Sequence, residues 1–148
     1  MEVKEIFLSE STVEKIEKLS ELVENERREL IEEIVRPLLK KEEKMLLRRP
    51  SIRKKMLERC GKKAFLVPEE LKFPIVSPLS KDCEPDCRLL FAAYLRANEW
   101  KKKKPEYAKV AEKAKELYMK HKCANKIKIH IGENALTAEE FMELFEVE

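Results

Sequence analysis

Apolar residues recur at three- and four-residue intervals over most of this chain and alternate with polar ones over one short stretch, which predicts a mainly helical protein with a small sheet. Ser11-Thr12-Val13-Glu14 has the form of a capping box, so a helix is expected to start there. Val13, Ile16, Leu19, Leu22 and Val23 make its stripe, the polar run 24–29 interrupts it, and Leu30, Ile31, Ile34, Val35, Leu38 and Leu39 resume it. The spacing reads as one long helix with a solvated middle or as two helices. Pro37, which lacks an N–H, should kink or restart the chain near Arg36. Met45, Leu46 and Leu47 lead to Arg48-Arg49-Pro50-Ser51, a restart for a short helix carrying Ile52, Met56 and Leu57, with Gly61 as its C-cap.

The pattern changes over 64–78, where Ala64-Phe65-Leu66-Val67 and Phe73-Pro74-Ile75-Val76 are short apolar runs between prolines, read as short strands, the second confined by Pro74 to an edge or to an extended loop. Pro85 suits the first turn of a helix whose broad apolar face holds Leu89, Leu90, Ala92, Ala93, Tyr94, Leu95 and Ala97, the expected central helix. Lys101 to Lys104 and Pro105 end it, and a further helix carries Tyr107, Val110, Ala111, Ala114, Leu117 and Tyr118. Lys126 to Ile131 alternates strictly and predicts a strand with its isoleucines inward; Gly132 ends it. Thr137-Ala138-Glu139-Glu140 is a second capping box, opening a last helix with Phe141, Leu144 and Phe145 buried.

These elements define an α+β fold, mainly helical, in one domain over 1–148: a helical N-terminal part (1–61) and an α+β part (62–148) that holds a cysteine cluster. The N-terminal long helix or helical hairpin should pack on a central helical hairpin, with a small mixed or antiparallel sheet from 64–67, 73–77 and 126–131. Because two helices return the chain to the end it left, strands 73–77 and 126–131 should run antiparallel.

Charge adds a second layer of pattern. The net charge of +3 is segregated into −4 over 1–47, +7 over 48–68, −2 over 69–100, +8 over 101–128 and −6 over 129–148. The two basic islands either meet an acidic partner such as nucleic acid or neutralise the chain's own acidic stretches. For the first case the candidate contacts are Arg48, Arg49, Arg53, Lys54 and Lys55, then Trp100 with Lys101, Lys102, Lys103 and Lys104, the tryptophan as a stacking surface beside a lysine run. Charged residues form 41% of the chain and glycine occurs twice, a composition resembling thermophile proteins. With two glycines there is no P-loop and no dinucleotide fingerprint. No basic region followed by an apolar core opens the sequence, and no apolar run approaches the roughly 18 residues of a membrane span, so a cytoplasmic protein without membrane contact is expected.

The four cysteines are the remaining chemical signal. Helices over 85–101 and 105–121, each about 25 Å long, would bring Cys87 and Cys123 to one end if they fold back on each other, with Cys83 in the loop entering that end. Cys83 and Cys87 have the spacing of half a zinc site that Cys60, Cys123 or His121 would complete. An iron–sulfur cluster ranks below zinc because the spacing matches no ferredoxin pattern. Redox chemistry is disfavoured by Glu84 and Asp86 and by the absence of Cys-x-x-Cys. Buried inert thiols and a Cys87 to Cys123 disulfide across the hairpin stand ahead of both. His121 and His130 read as surface histidines, and no nucleophile is tied to them.

The leading expectation is therefore a non-catalytic binding module of a thermophile, associated with nucleic acid and stiffened by a cysteine site such as structural zinc. The alternative is a protein-interaction or oligomerisation module, since Leu30 to Leu47 offers apolar groups on more than one face, with the cysteines as structural disulfides or buried thiols.

Overall fold

The strongest apolar face in the sequence becomes the centre of the fold. In the computed structural model, which describes residues 3–146, Leu89, Leu90, Phe91 and Leu95 of helix α5 (Cys87–Trp100) are buried on all sides that matter to the core, with Ala92, Ala93 and Ala97 beside them. Asp86 caps it, its Oδ1 accepting from the Arg88 N–H at 2.8 Å, and Pro85 stands just ahead of the helix. Helix α6 (Tyr107–Lys120) folds back along it. Both helices contain 14 residues, so the turn after α6 arrives beside the start of α5.

The N-terminal half resolves into separate helices: α1 (Glu10–Glu17), a 3-10 turn at Leu19–Glu21, and α2 (Glu24–Val35). Leu22 and Val23 are extended between them, which breaks the long-helix reading. The first cap sits two residues earlier than the box at Ser11 implied, because the Ser9 hydroxyl accepts from the Thr12 N–H at 3.3 Å. Pro37 produces the expected restart as a 3-10 turn over Arg36–Leu38. Helices α3 (Lys41–Leu47) and α4 (Pro50–Cys60) follow, and Gly61 closes α4 at φ +75°, a left-handed backbone that glycine accepts without strain. Leu30, Ile31, Ile34, Val35, Leu38 and Leu47 all turn into the chain's own core. Most of the apolar groups that suggested pairing of the first helices with a partner are thus used internally, while Met45 stays exposed on α3.

The fold is mainly helical α+β with a small mixed sheet, as expected, but its strands pair differently. Strands β2 (Phe65–Val67) and β3 (Lys72–Pro74) form a separate two-stranded antiparallel hairpin. The alternating segment becomes β4 (Ile127–Ile131), flanked by β1 (Lys4–Phe7) in parallel and by β5 (Asn134–Thr137) in antiparallel. The predicted antiparallel pairing of 73–77 with 126–131 does not form, because β1 and β5 occupy both edges of β4. Ile75 instead bonds Ala64 and Asp86 in loops, its N–H donating to the Ala64 carbonyl at 2.9 Å and its carbonyl accepting from the Asp86 N–H at 2.7 Å. Helix α7 (Ala138–Glu146) opens on the reciprocal capping box read from sequence: Thr137 Oγ1 accepts from the Glu140 N–H at 3.2 Å, and Glu140 Oε1 accepts from the Thr137 N–H at 3.0 Å. Phe141, Met142 and Phe145 of α7 then close the core over Phe91 and Tyr94.

Candidate anion-binding cleft

The cysteines form two disulfides, Cys60–Cys83 and Cys87–Cys123. The second is the staple across the α5–α6 hairpin; the first ties the end of α4 to the loop that enters α5. A disulfide sulfur carries no thiolate to offer a cation, so the zinc and iron–sulfur readings of Cys60, Cys83, Cys87 and Cys123 have no support here. Among the described residues no three of His, Cys, Asp and Glu are grouped to hold a metal ion. His121 is exposed at the end of α6, while His130 Nε2 lies 3.1 Å from Glu5 Oε1 with its ring stacked on Phe7.

The basic islands are sorted by the fold. Arg53 is drawn inward from α4, its Nε donating to the Leu47 carbonyl and its Nη1 to the Leu71 carbonyl, both at 2.6 Å. It thereby fastens the β2–β3 turn to the end of α3. On its far side Arg53 lines a cleft of about 540 Å³. The wall opposite comes from α5, where Leu89, Ala92, Ala93, Arg96 and Trp100 recur at helical spacing and the two alanines leave room that longer side chains would fill. Strand β3 adds Lys72 and Phe73, and Lys104 and Tyr107 complete the rim.

Aromatic and cationic groups alternate around this cleft. Phe73 meets Tyr107 edge-on at 5.1 Å, Lys104 Nζ lies 5.3 Å from the Tyr107 ring centre, and Lys72 Nζ is 3.4 Å from the Tyr107 hydroxyl. Arg28 stacks over Trp100 at 4.6 Å and also donates to Glu99 Oε1 at 3.1 Å. Phe73 adopts φ +58° and Leu71 φ +55°, a left-handed backbone costly for bulky residues, and such outliers concentrate where a site is being shaped. A second cleft of about 310 Å³ shares Glu32, Arg53 and Arg96 with the first and adds Arg36, Lys44 and Arg48. Arg53 and Arg96 are thus the common wall of two openings.

Electrostatics follow from that crowding. Burial, then the neighbouring positive charge of Arg96, pulls the Arg53 pKa down. Burial, then the charge on Glu32, pushes the Glu99 carboxyl up, against the attraction of Arg28 and Arg96. Glu32 itself pairs with Arg96 at 3.4 Å. Like charges held together in a cleft favour whatever opposite charge enters it.

Of the sequence candidates, Arg53, Trp100 and Lys104 line the larger cleft, and Arg48 lines the smaller one with Arg53. Arg49, Lys54, Lys55 and Lys102 are exposed and line neither. Lys101 donates to the Phe145 carbonyl at 3.1 Å and Lys103 pairs with Glu24 at 3.0 Å, so both serve the fold. Sequence reasoning missed Arg96, Lys72 and Phe73. Arg96 and Trp100 stand four apart on α5, a spacing that could have revealed their shared face; nothing in the sequence joined them to Arg53. Comparison with known protein families, characterised proteins and solved structures finds no match for this chain.

Proposed function

We propose that the chain is a disulfide-braced, non-catalytic binding module for nucleic acid, with the Arg53–Arg96 cleft as its contact. The observation that supports this reading is the meeting, at one place, of guanidinium groups from α4 and α5 with the half-buried rings of Phe73 and Trp100. Phosphate is recognised by such clustered cations through counterion release, and a flat ring by the aromatic faces beside them. Filter binding of a labelled single-stranded oligonucleotide should show affinity falling by about tenfold or more between 50 and 200 mM salt. Salt-independent retention, or none at 50 mM, would dispose of the reading. Disulfides persist in oxidising compartments and in the cytosol of hyperthermophiles; the charge-rich, glycine-poor composition supports the second setting.

A second reading, as a protein-interaction module, draws on strand β1. It is an edge strand of its sheet and carries Phe7, 73% exposed, the arrangement through which sheets extend into a second chain. Light scattering at micromolar concentration should then report a dimer that Phe7→Lys returns to monomer. A monomer at every concentration removes self-pairing. No helix among the described residues is long and apolar enough to cross a membrane.

A further inference from the structure

We infer that the larger cleft holds a single nucleotide unit, its base beside Phe73 and Trp100 and its phosphates against Arg53 and Arg96. This rests on the nucleic-acid reading and sharpens it from surface attraction to a built pocket. Three observations carry it. The first is size: the larger cleft, about 540 Å³, lies in the range that encloses ligands of nucleotide dimensions.

The second is the combination of aromatic and cationic chemistry within the site. Aromatic side chains belong to the larger cleft alone, where Arg53, Lys72, Arg96 and Lys104 stand among them, whereas the smaller one sets Arg36, Lys44 and Arg48 among Val35, Leu39 and Leu47 with Glu32 as its sole acid. A ligand with one flat apolar end and one multiply charged end fits that combination. A bare polyphosphate leaves the aromatic rings unused, and a neutral nucleoside leaves the cations unpaired.

The third is orientation. Glu99, almost wholly buried, lines the larger cleft, and its carboxylate would repel phosphate beside it. Glu32 is already bound to Arg96, so at the common wall an entering phosphate competes with a partly exposed carboxylate that can swing away. Glu99 thus disfavours phosphate beside it and the Arg53–Arg96 pair favours it, with Lys72 and Lys104 as further cations at the rim, which leaves the alanine-floored space beside Phe73 for the base. The same unit is available from a free nucleoside triphosphate or from the 5′-phosphorylated end of a single strand, and the test separates them.

Trp100 is the chain's one tryptophan and lines the cleft, so its fluorescence reports occupancy without a label. The full-length, oxidised protein is titrated at low salt with ATP, tripolyphosphate, adenosine and a 5′-phosphorylated oligothymidylate. ATP should quench Trp100 and bind about tenfold or more tightly than tripolyphosphate, the gain expected of one base stacked on an aromatic ring. Phe73→Leu should erase that preference while leaving tripolyphosphate affinity in place, and Arg96→Gln should weaken both by about tenfold. Melting curves of both variants identify any loss of fold. Tighter binding of the oligonucleotide than of ATP assigns the unit to a strand end, and the reverse assigns it to a free nucleotide. Equal affinity for ATP and tripolyphosphate, unmoved by Phe73→Leu, overturns the pocket and leaves salt-dependent strand binding standing. Failure of every ligand, strand included, overturns both readings.

Discussion

Replacing Cys87 and Cys123 together with serine is expected to lower stability by about 3–4 kcal/mol, the loop-closure entropy of a link spanning 36 residues, and Tm by about 10 °C. The Cys60–Cys83 link spans 23 residues and lies entirely ahead of Cys87, so neither closure shortens the other and the two effects should add. Full reduction would then remove about 6–8 kcal/mol, a large part of the 5–15 kcal/mol by which a domain is usually stable. Cys83 is the most accessible of the four cysteines, so the bond to Cys60 should open first under mild reductant. Thiol titration of the denatured, unreduced protein should find no free thiol, and calorimetry with and without reductant gives the energy. Four titratable thiols with an unchanged melting curve would remove the disulfides from the account.

The second large effect belongs to a buried charge. Glu43, 1% exposed, accepts two bonds from Arg88, at 2.8 and 3.0 Å, one from the Ser77 hydroxyl at 2.6 Å and one from the Lys40 N–H at 3.0 Å. Burial alone would raise its pKa; the bonds from Arg88, Ser77 and Lys40 outweigh that and hold it at about 2. The same bonds, with those to Asp86, raise Arg88. This network joins α3, the loop after β3 and the first turn of α5.

Arg88→Met leaves Glu43 buried without its countercharge and should cost about 3–5 kcal/mol at neutral pH. A Glu43→Met, Arg88→Met double variant should be less destabilised than Arg88→Met alone, because no unpaired charge remains. The pH dependence separates these outcomes. In the native protein Glu43 has a folded pKa below its unfolded value of 4.5, so its contribution is complete above that value and is lost as pH falls toward 2. In Arg88→Met the uncompensated burial moves the folded pKa above the unfolded one, and acidification should restore part of the lost stability. Denaturation midpoints between pH 3 and 8 report the sign. A variant that tracks the native profile would show that Glu43 is not held by Arg88.

How much of this was legible depended on whether the determinant was local. The α5 stripe, the Pro37 restart, Gly61 at the end of α4 and the Thr137–Glu140 capping box each involve residues within a few positions of one another, and each is present. The Cys87–Cys123 link was legible for a similar reason: two helices of equal length and a short connection suffice to return the chain to its starting end. Ser11 misled because three hydroxyl-bearing residues stand at 9, 11 and 12, and any of them has the chemistry of a cap; it is Ser9 that accepts from the Thr12 N–H. Strand β1 itself buries only Ile6, too little periodicity for any pattern to register.

Sequence by itself determined the helical framework, the one strictly alternating strand and the ends of several elements, because capping, proline geometry and apolar periodicity act over a turn or two of chain. Tertiary structure alone decided the parallel pairing of Lys4–Phe7 with Ile127–Ile131, the partner of Cys60, the pairing of Glu43 with Arg88 and the meeting of Arg53 with Arg96. Each of those joins residues more than twenty positions apart, where the intervening chain can close in many ways with nearly the same loop entropy, and only the packing of the whole core selects one.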